Sequence, residues 1–233
     1  MSEMNYMSES RIASATSEAM RRVYNYMGLG LLVTAVVSYL ISNSETAVRF
    51  IFTNWWVSIA LFVLQIGLVI YIGARIKKMS PGQALGFFFA YAALLGVTMS
   101  FIFLAYTAAD ITLALGTTMM MFLAMSVFGY VTKMDLTGVG TFAIMGLIGI
   151  IIGSVLNWFF RSELLYWIIT YAGVVIFVAL TAYDTQKIKK WITAVLPTGD
   201  EEQLKRVSVL GALTLYLDFI NMFLFLLRIF GRR

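Results

Sequence analysis

The 233-residue chain contains no cysteine and no histidine, has only 2 prolines, and is charged at just 12% of its positions. Without cysteine there are no disulfides and no thiolate chemistry. Without histidine there are no imidazole ligands for a metal or haem and no Ser-His or Cys-His nucleophile. Most enzyme classes go with them, so the expectation is a protein that is not an enzyme and carries no cofactor. Hydrophobic residues fill the space left by the missing polar ones. They make up 61% of the chain, and the mean hydropathy is +0.86, which reads as an integral membrane protein. The formal charge of +5 is modest. The basic residues sit in short clusters between apolar runs, which points to a lipid bilayer and argues against a nucleic-acid partner.

About 20 predominantly apolar residues are needed to cross a hydrocarbon core roughly 30 Å thick. Stretches 24–42, 55–74, 83–106, 111–131, 139–160, 164–183 and 209–230 qualify. The expected fold is therefore an all-α integral membrane protein, a seven-transmembrane-helix bundle. Residues 1–23 form a polar N-terminal tail and 24–233 a single membrane domain. No small-residue cleavage site follows the first apolar run, so it reads as a retained span. Pro197, Thr198, Gly199 and Asp200 break the pattern between the last two spans. Gly86, Gly96, Gly146, Gly149 and Gly153 read as points of close helix approach. The methionines of 117–125 spread around a helix, so they read as adaptable packing rather than a soft-metal path.

Lys and Arg concentrate in alternate connections. Arg11, Arg21, Arg22, Arg75, Lys77, Lys78, Lys133, Lys187, Lys189, Lys190, Lys205 and Arg206 fall on one side, against Arg49 and Arg161 on the other. This places the N-terminus in the cytoplasm. Seven crossings would then put the C-terminus outside, yet it carries Arg228, Arg232 and Arg233. Either the last segment turns back or packing overrides a late charge signal.

Two acids lie where water does not ordinarily reach. Asp218 interrupts the apolar run LYLDFINMFL, and Asp184 closes the sixth span in ALTAYDTQ. A carboxylate at a membrane-helix centre costs about 2.5 to 3.5 kcal/mol on insertion scales, so it marks a functional candidate. Steps of three and four join Gly211, Thr214, Asp218, Asn221, Phe225 and Arg228 into one stripe, and Thr170, Gly173, Phe177, Thr181 and Asp184 into another. Two carboxyls within reach of one another in a low-dielectric site share a proton. Once both are ionised they repel and attract a cation, and calcium suits such oxygen ligands. Asp184 and Asp218 are thus the candidate pH-sensing pair and transient calcium ligands, with Thr181, Thr214, Asn221 and Arg75 in support. The bland reading makes Asp184 an interfacial helix end and Asp218 an acid bonded to Asn221, Thr or Tyr for packing. Depth is a difficulty. Asp218 lies roughly 18 Å beyond Arg206 and Asp184 only about 5 Å before Lys187, so they meet only if a helix tilts or water reaches in.

The blocks TAYDTQKIKK (181–190), LYLDFINMFLFLLRIF (215–230) and GYVTKMDLTGVGTFAIMGLIG (129–149) resemble the BAX-inhibitor (TMBIM) family, over about residues 20–230. The resemblance implies a seven-helix bundle with the last helix central and surrounded by six. It also implies a calcium leak across the membrane, with Asp184 and Asp218 as its pH-responsive pair. Some members carry an acid in the second helix that gates with a nearby Arg. Here that span offers Gln65 and Arg75 and no acid, so Arg75 reads first as a topology-setting charge beside Lys77 and Lys78. The competing function is a non-conducting regulator that binds a membrane protease or another membrane complex. An intramembrane aspartyl protease would need Gly-x-Gly before its second acid, whereas Leu215, Tyr216 and Leu217 stand before Asp218. The compact connections suit a bacterial inner membrane.

Overall fold

In a computed structural model, the backbone is described for residues 2–231 and the side chains for residues 11–231. The helices are α1 (Ser2–Ser42), α2 (Glu45–Thr53), α3 (Trp55–Arg75), α4 (Pro81–Met99), α5 (Ile102–Ala105), α6 (Ala108–Val131), α7 (Thr137–Phe160), α8 (Glu163–Val195) and α9 (Glu201–Phe230). Short 3-10 turns follow α3 and α8 at Ile76–Lys78 and Leu196–Thr198. Among the described residues there is no strand, and 7 helical stretches are long and apolar enough to cross a membrane. Their outward faces carry large apolar side chains such as Phe142, Trp158 and Phe62, as lipid requires.

Several helices run further than hydropathy suggests. The polar stretch expected as a tail is continuous with the first span, and Thr16, Ala19, Met20 and Val23 are buried. Their three-to-four spacing makes a narrow apolar face that an averaged hydropathy hides. The same holds at the far end of α8, where Ile188, Ile192 and Val195 are buried while Lys190 points outward. The chain then turns through Pro197 and Gly199, the latter left-handed at φ 68°. Helix α9 starts at Glu201, well before the apolar run, because Asp200 accepts a 2.8 Å bond from the Gln203 amide and Glu201 and Glu202 complement the helix N-terminus. The unexpected short helix α2 is capped by Ser44 and anchored by buried Ile51.

The last segment does not turn back before Phe230. Helix α9 is unbroken through Phe230, and Arg228 lies over the rings of Tyr166 and Phe225 at 5.9 and 5.3 Å. Arg232 and Arg233 lie outside the described residues. The resemblance implied a central last helix, and α9 is the most buried of the seven. In its most apolar window 72% is buried, against 17% to 39% in the other spans.

The chain forms two compact units, and α8 and α9 contribute to both. The first takes residues up to Ala105 together with Ile188–Tyr216. In it the Thr34 hydroxyl lies 2.9 Å from the Ala92 carbonyl and 2.6 Å from the Tyr216 hydroxyl, and Ser38 donates to Gly96 at 2.7 Å. The second takes Tyr106–Lys187 and the chain from Leu217 onward. There α6 crosses α8 so closely that a Cβ on Gly129 would collide with the Ala182 backbone, and α7 meets α8 where Gly140 lies under the Tyr183 ring. Backbone cannot move aside as a side-chain tip can. Gly129→Ala is therefore expected to cost about 1 to 3 kcal/mol, whereas Gly116→Ala on the same helix, with open space around it, should be neutral. Thermal denaturation in detergent checks this, and equal stability of the two variants would contradict the close contact.

Candidate functional site

Both aspartates belong to the second unit. Asp184 is 7% exposed and Asp218 4%. Because α8 continues to Val195, Asp184 is an interior residue of its helix and not its inner end, which removes most of the apparent depth mismatch. The packing of α8 on α9 gives the register. Gly173 lies under the ring of Phe225, and Phe177, one turn on, meets the same ring at 6.0 Å. Counting along the two antiparallel helices from those contacts brings Asp184 level with residues 214 to 218. The two acids are thus within about one helical turn of each other, and the charge of Asp184 acts on Asp218.

Their surroundings differ. Asp184 accepts a 3.2 Å charged hydrogen bond from Lys187, one turn further along α8. The ammonium also lies 5.3 Å from the centre of the Tyr183 ring. Asp218 has no such support, and its Oδ2 is buried without a hydrogen-bond partner. The polar residues expected beside it do not supply one. Thr181 donates to the Phe177 carbonyl at 2.7 Å, Thr214 to Leu210 at 3.0 Å and Asn221 to Leu217 at 2.8 Å, each within its own helix. The packing explanation, in which Asn221 or Thr satisfies Asp218, therefore finds no bond to rest on. Thr214 belongs to the first unit, as does Arg75, whose side chain is exposed at the end of α3.

Three features went unread in the sequence. Lys187 passed as one interfacial lysine among several, although its three-residue offset from Asp184 is a pairing signal. Gln186 is a clamp. Its Oε1 accepts from the Leu136 amide at 3.0 Å and its Nε2 donates to the Met134 carbonyl at 2.8 Å, tying the α6–α7 connection to α8 beside Asp184. Ser126 and Thr185 carry buried hydroxyls without partners. Nothing in the sequence distinguishes these groups, because each depends on which helix faces which.

If the two carboxyls share one proton they carry a charge of −1, which the Lys187 ammonium beside Asp184 would balance; loss of that proton would leave one excess negative charge in a buried site. Among the described residues no three acidic, histidine or cysteine side chains gather.

Fold and site together describe an integral membrane protein of seven spans with a buried acid pair near the middle of its last two helices. The family described as inhibitor of apoptosis-promoting Bax1 matches residues 16–233, and the chain belongs to this BAX-inhibitor family. It is similar to the inner membrane protein YbhL of Escherichia coli K12, 49% identical over 92% of this chain and 91% of that one. It is also similar to an uncharacterized protein of Borreliella burgdorferi, 46% identical over 91% and 90%. A third relative, the uncharacterized protein YrjE of Lactococcus lactis, is 39% identical over 90% and 88%. None of these three names is that of an enzyme.

Replacing Gln186 with leucine strands the buried Leu136 amide and the part-buried Met134 carbonyl. Gln186→Leu is expected to lower stability by about 1 to 3 kcal/mol, seen as a lower melting temperature. An unchanged melting temperature would mean the clamp contributes nothing.

Proposed function

We propose that the protein is a pH-sensitive cation leak path, calcium being the cation its oxygen donors suit best, gated by Asp184 and Asp218. The observation that carries this reading is the Asp218 carboxyl, 4% exposed in a membrane-spanning helix, with one oxygen unpartnered and a second acid beside it. A side chain present only for packing would be bonded or replaced by an apolar one. With a shared proton, the pair and Lys187 sum to zero charge and the helices stay closed. When the proton leaves, like charges on α8 and α9 repel, and the excess charge recruits a cation. Lys187, not Arg75, is the basic group that balances the pair. The basic clusters support a cytoplasmic N-terminus, and the likeness to YbhL supports a bacterial inner membrane.

Purified protein in calcium-dye liposomes tests the reading. Flux is expected to rise from about pH 6 to about pH 8, and both Asp184→Asn and Asp218→Asn, mimicking permanently neutral acids, should flatten that response at its low end. A pH response that survives in both variants would contradict gating by the pair. Absence of flux from wild-type protein throughout would contradict conduction and favour a non-conducting regulator of a membrane protease or other membrane complex.

A further inference from the structure

Hydroxyls inside a membrane bundle usually solve their own desolvation problem by donating to the carbonyl four residues back. In the second unit Thr118, Thr170 and Thr181 do this, to Ala114, Tyr166 and Phe177, each at 2.7 Å. Ser126 and Thr185 do not. They are 3% and 0% exposed, and their hydroxyl oxygens are buried without a partner, as is Asp218 Oδ2. The remaining buried unpartnered side-chain atom among the described residues, Asn157 Oδ1, lies a turn past Gly153, which meets Ile169 near the start of α8, and so belongs to the opposite end of that helix.

Helix faces bring the three together. Thr185 follows Asp184 and lies one turn beyond Ala182, the residue whose backbone meets Gly129 of α6, so it is on the α6-facing side of α8. Ser126 is one turn before Gly129 and one turn after Phe122, whose ring packs edge-on against Phe219 at 5.4 Å. It therefore occupies the face of α6 that meets both α8 and α9, one turn from the contact with Phe219, the residue after Asp218. Levels follow from the helical rise. Counted from Gly129 against Ala182, Ser126 is level with Ala179 in α8, and Thr185 lies roughly 9 Å further along the axis. Asp184 falls between, as does Asp218, which is level with residues 180 to 184 of α8 when counted from the contacts of Gly173 and Phe177 with Phe225.

We propose that Ser126 and Thr185 are ligands of the cation path, their hydroxyl oxygens flanking Asp184 and Asp218 to make a four-residue, all-oxygen track on α6, α8 and α9. It rests on the reading of the acid pair as a cation site and adds the residues that set its reach and preference. Spread over that length, the oxygens form successive steps rather than one cage. A hard divalent or monovalent cation would be passed along them, and a soft metal would find no suitable donor. The hydroxyls replace water around the dehydrated ion on either side of the carboxylates, which accounts for two buried groups left without protein partners.

The test is calcium titration calorimetry on the full-length protein in nanodiscs at about pH 8, the high end of the proposed flux response. Thr185→Val and Ser126→Ala should each weaken calcium binding about fivefold without lowering the melting temperature. Thr118→Val, which removes a hydroxyl already bonded to its own helix, should bind like wild type. If Thr185→Val and Ser126→Ala bind calcium as tightly as wild type while Asp184→Asn does not, the hydroxyl track is overturned and the acid pair stands. Wild-type protein that binds no calcium overturns both. The expected affinities together with no liposome flux would support the track and overturn conduction alone.

Discussion

A carboxyl inside a membrane must be neutral, paired, or in contact with water or a cation, and Asp218 is placed so that its own helix offers none of the pairing options. Its oxygen is buried, its polar neighbours on α9 are bonded to backbone, and the nearest charges are those of Asp184 and Lys187. In the proposed closed state, the α8–α9 packing holds a balanced set of one shared proton, two acids and one ammonium. Whatever disturbs that balance acts on the two helices that carry it.

The packing that creates this constraint is built from small residues and rings. Gly129 lets α6 touch the backbone of α8, Gly140 admits the Tyr183 ring, and Gly173 accepts the ring of Phe225. Bulk at any of these points would hold the helices apart and let lipid or water reach the acids. The Gln186 clamp fixes the α6–α7 connection against the same segment of α8. Rigid contacts thus surround a polar site that is electrostatically poised, an arrangement suited to switching on a change of one charge.

Much of this was legible in the sequence. Seven apolar runs, the family blocks and both aspartates can be read from residue types alone, because hydropathy and helical spacing are local properties. Helix length was less legible. The ends of α8 and α9 and the start of α1 are amphipathic, and their buried faces exist only because other helices cover Ile188, Ile192 and Val23. The depth mismatch between the acids arose from that truncation, since a helix ending near Asp184 would place it at an interface. Side-chain partnership was the least legible. Nothing about the letters distinguishes Thr181, which bonds its own helix, from Thr185, which does not, and Lys187 looked like one interfacial lysine among several until the fold paired it with Asp184.

The proposed gating turns on a proton shared by Asp184 and Asp218 and displaced when a cation binds. It is measured most directly by counting the protons released per calcium bound in a weakly buffered titration of the purified protein at about pH 7. A shared proton predicts the release of about one proton per calcium, abolished in Asp218→Asn. Calcium binding with no proton release from the wild-type protein would contradict it.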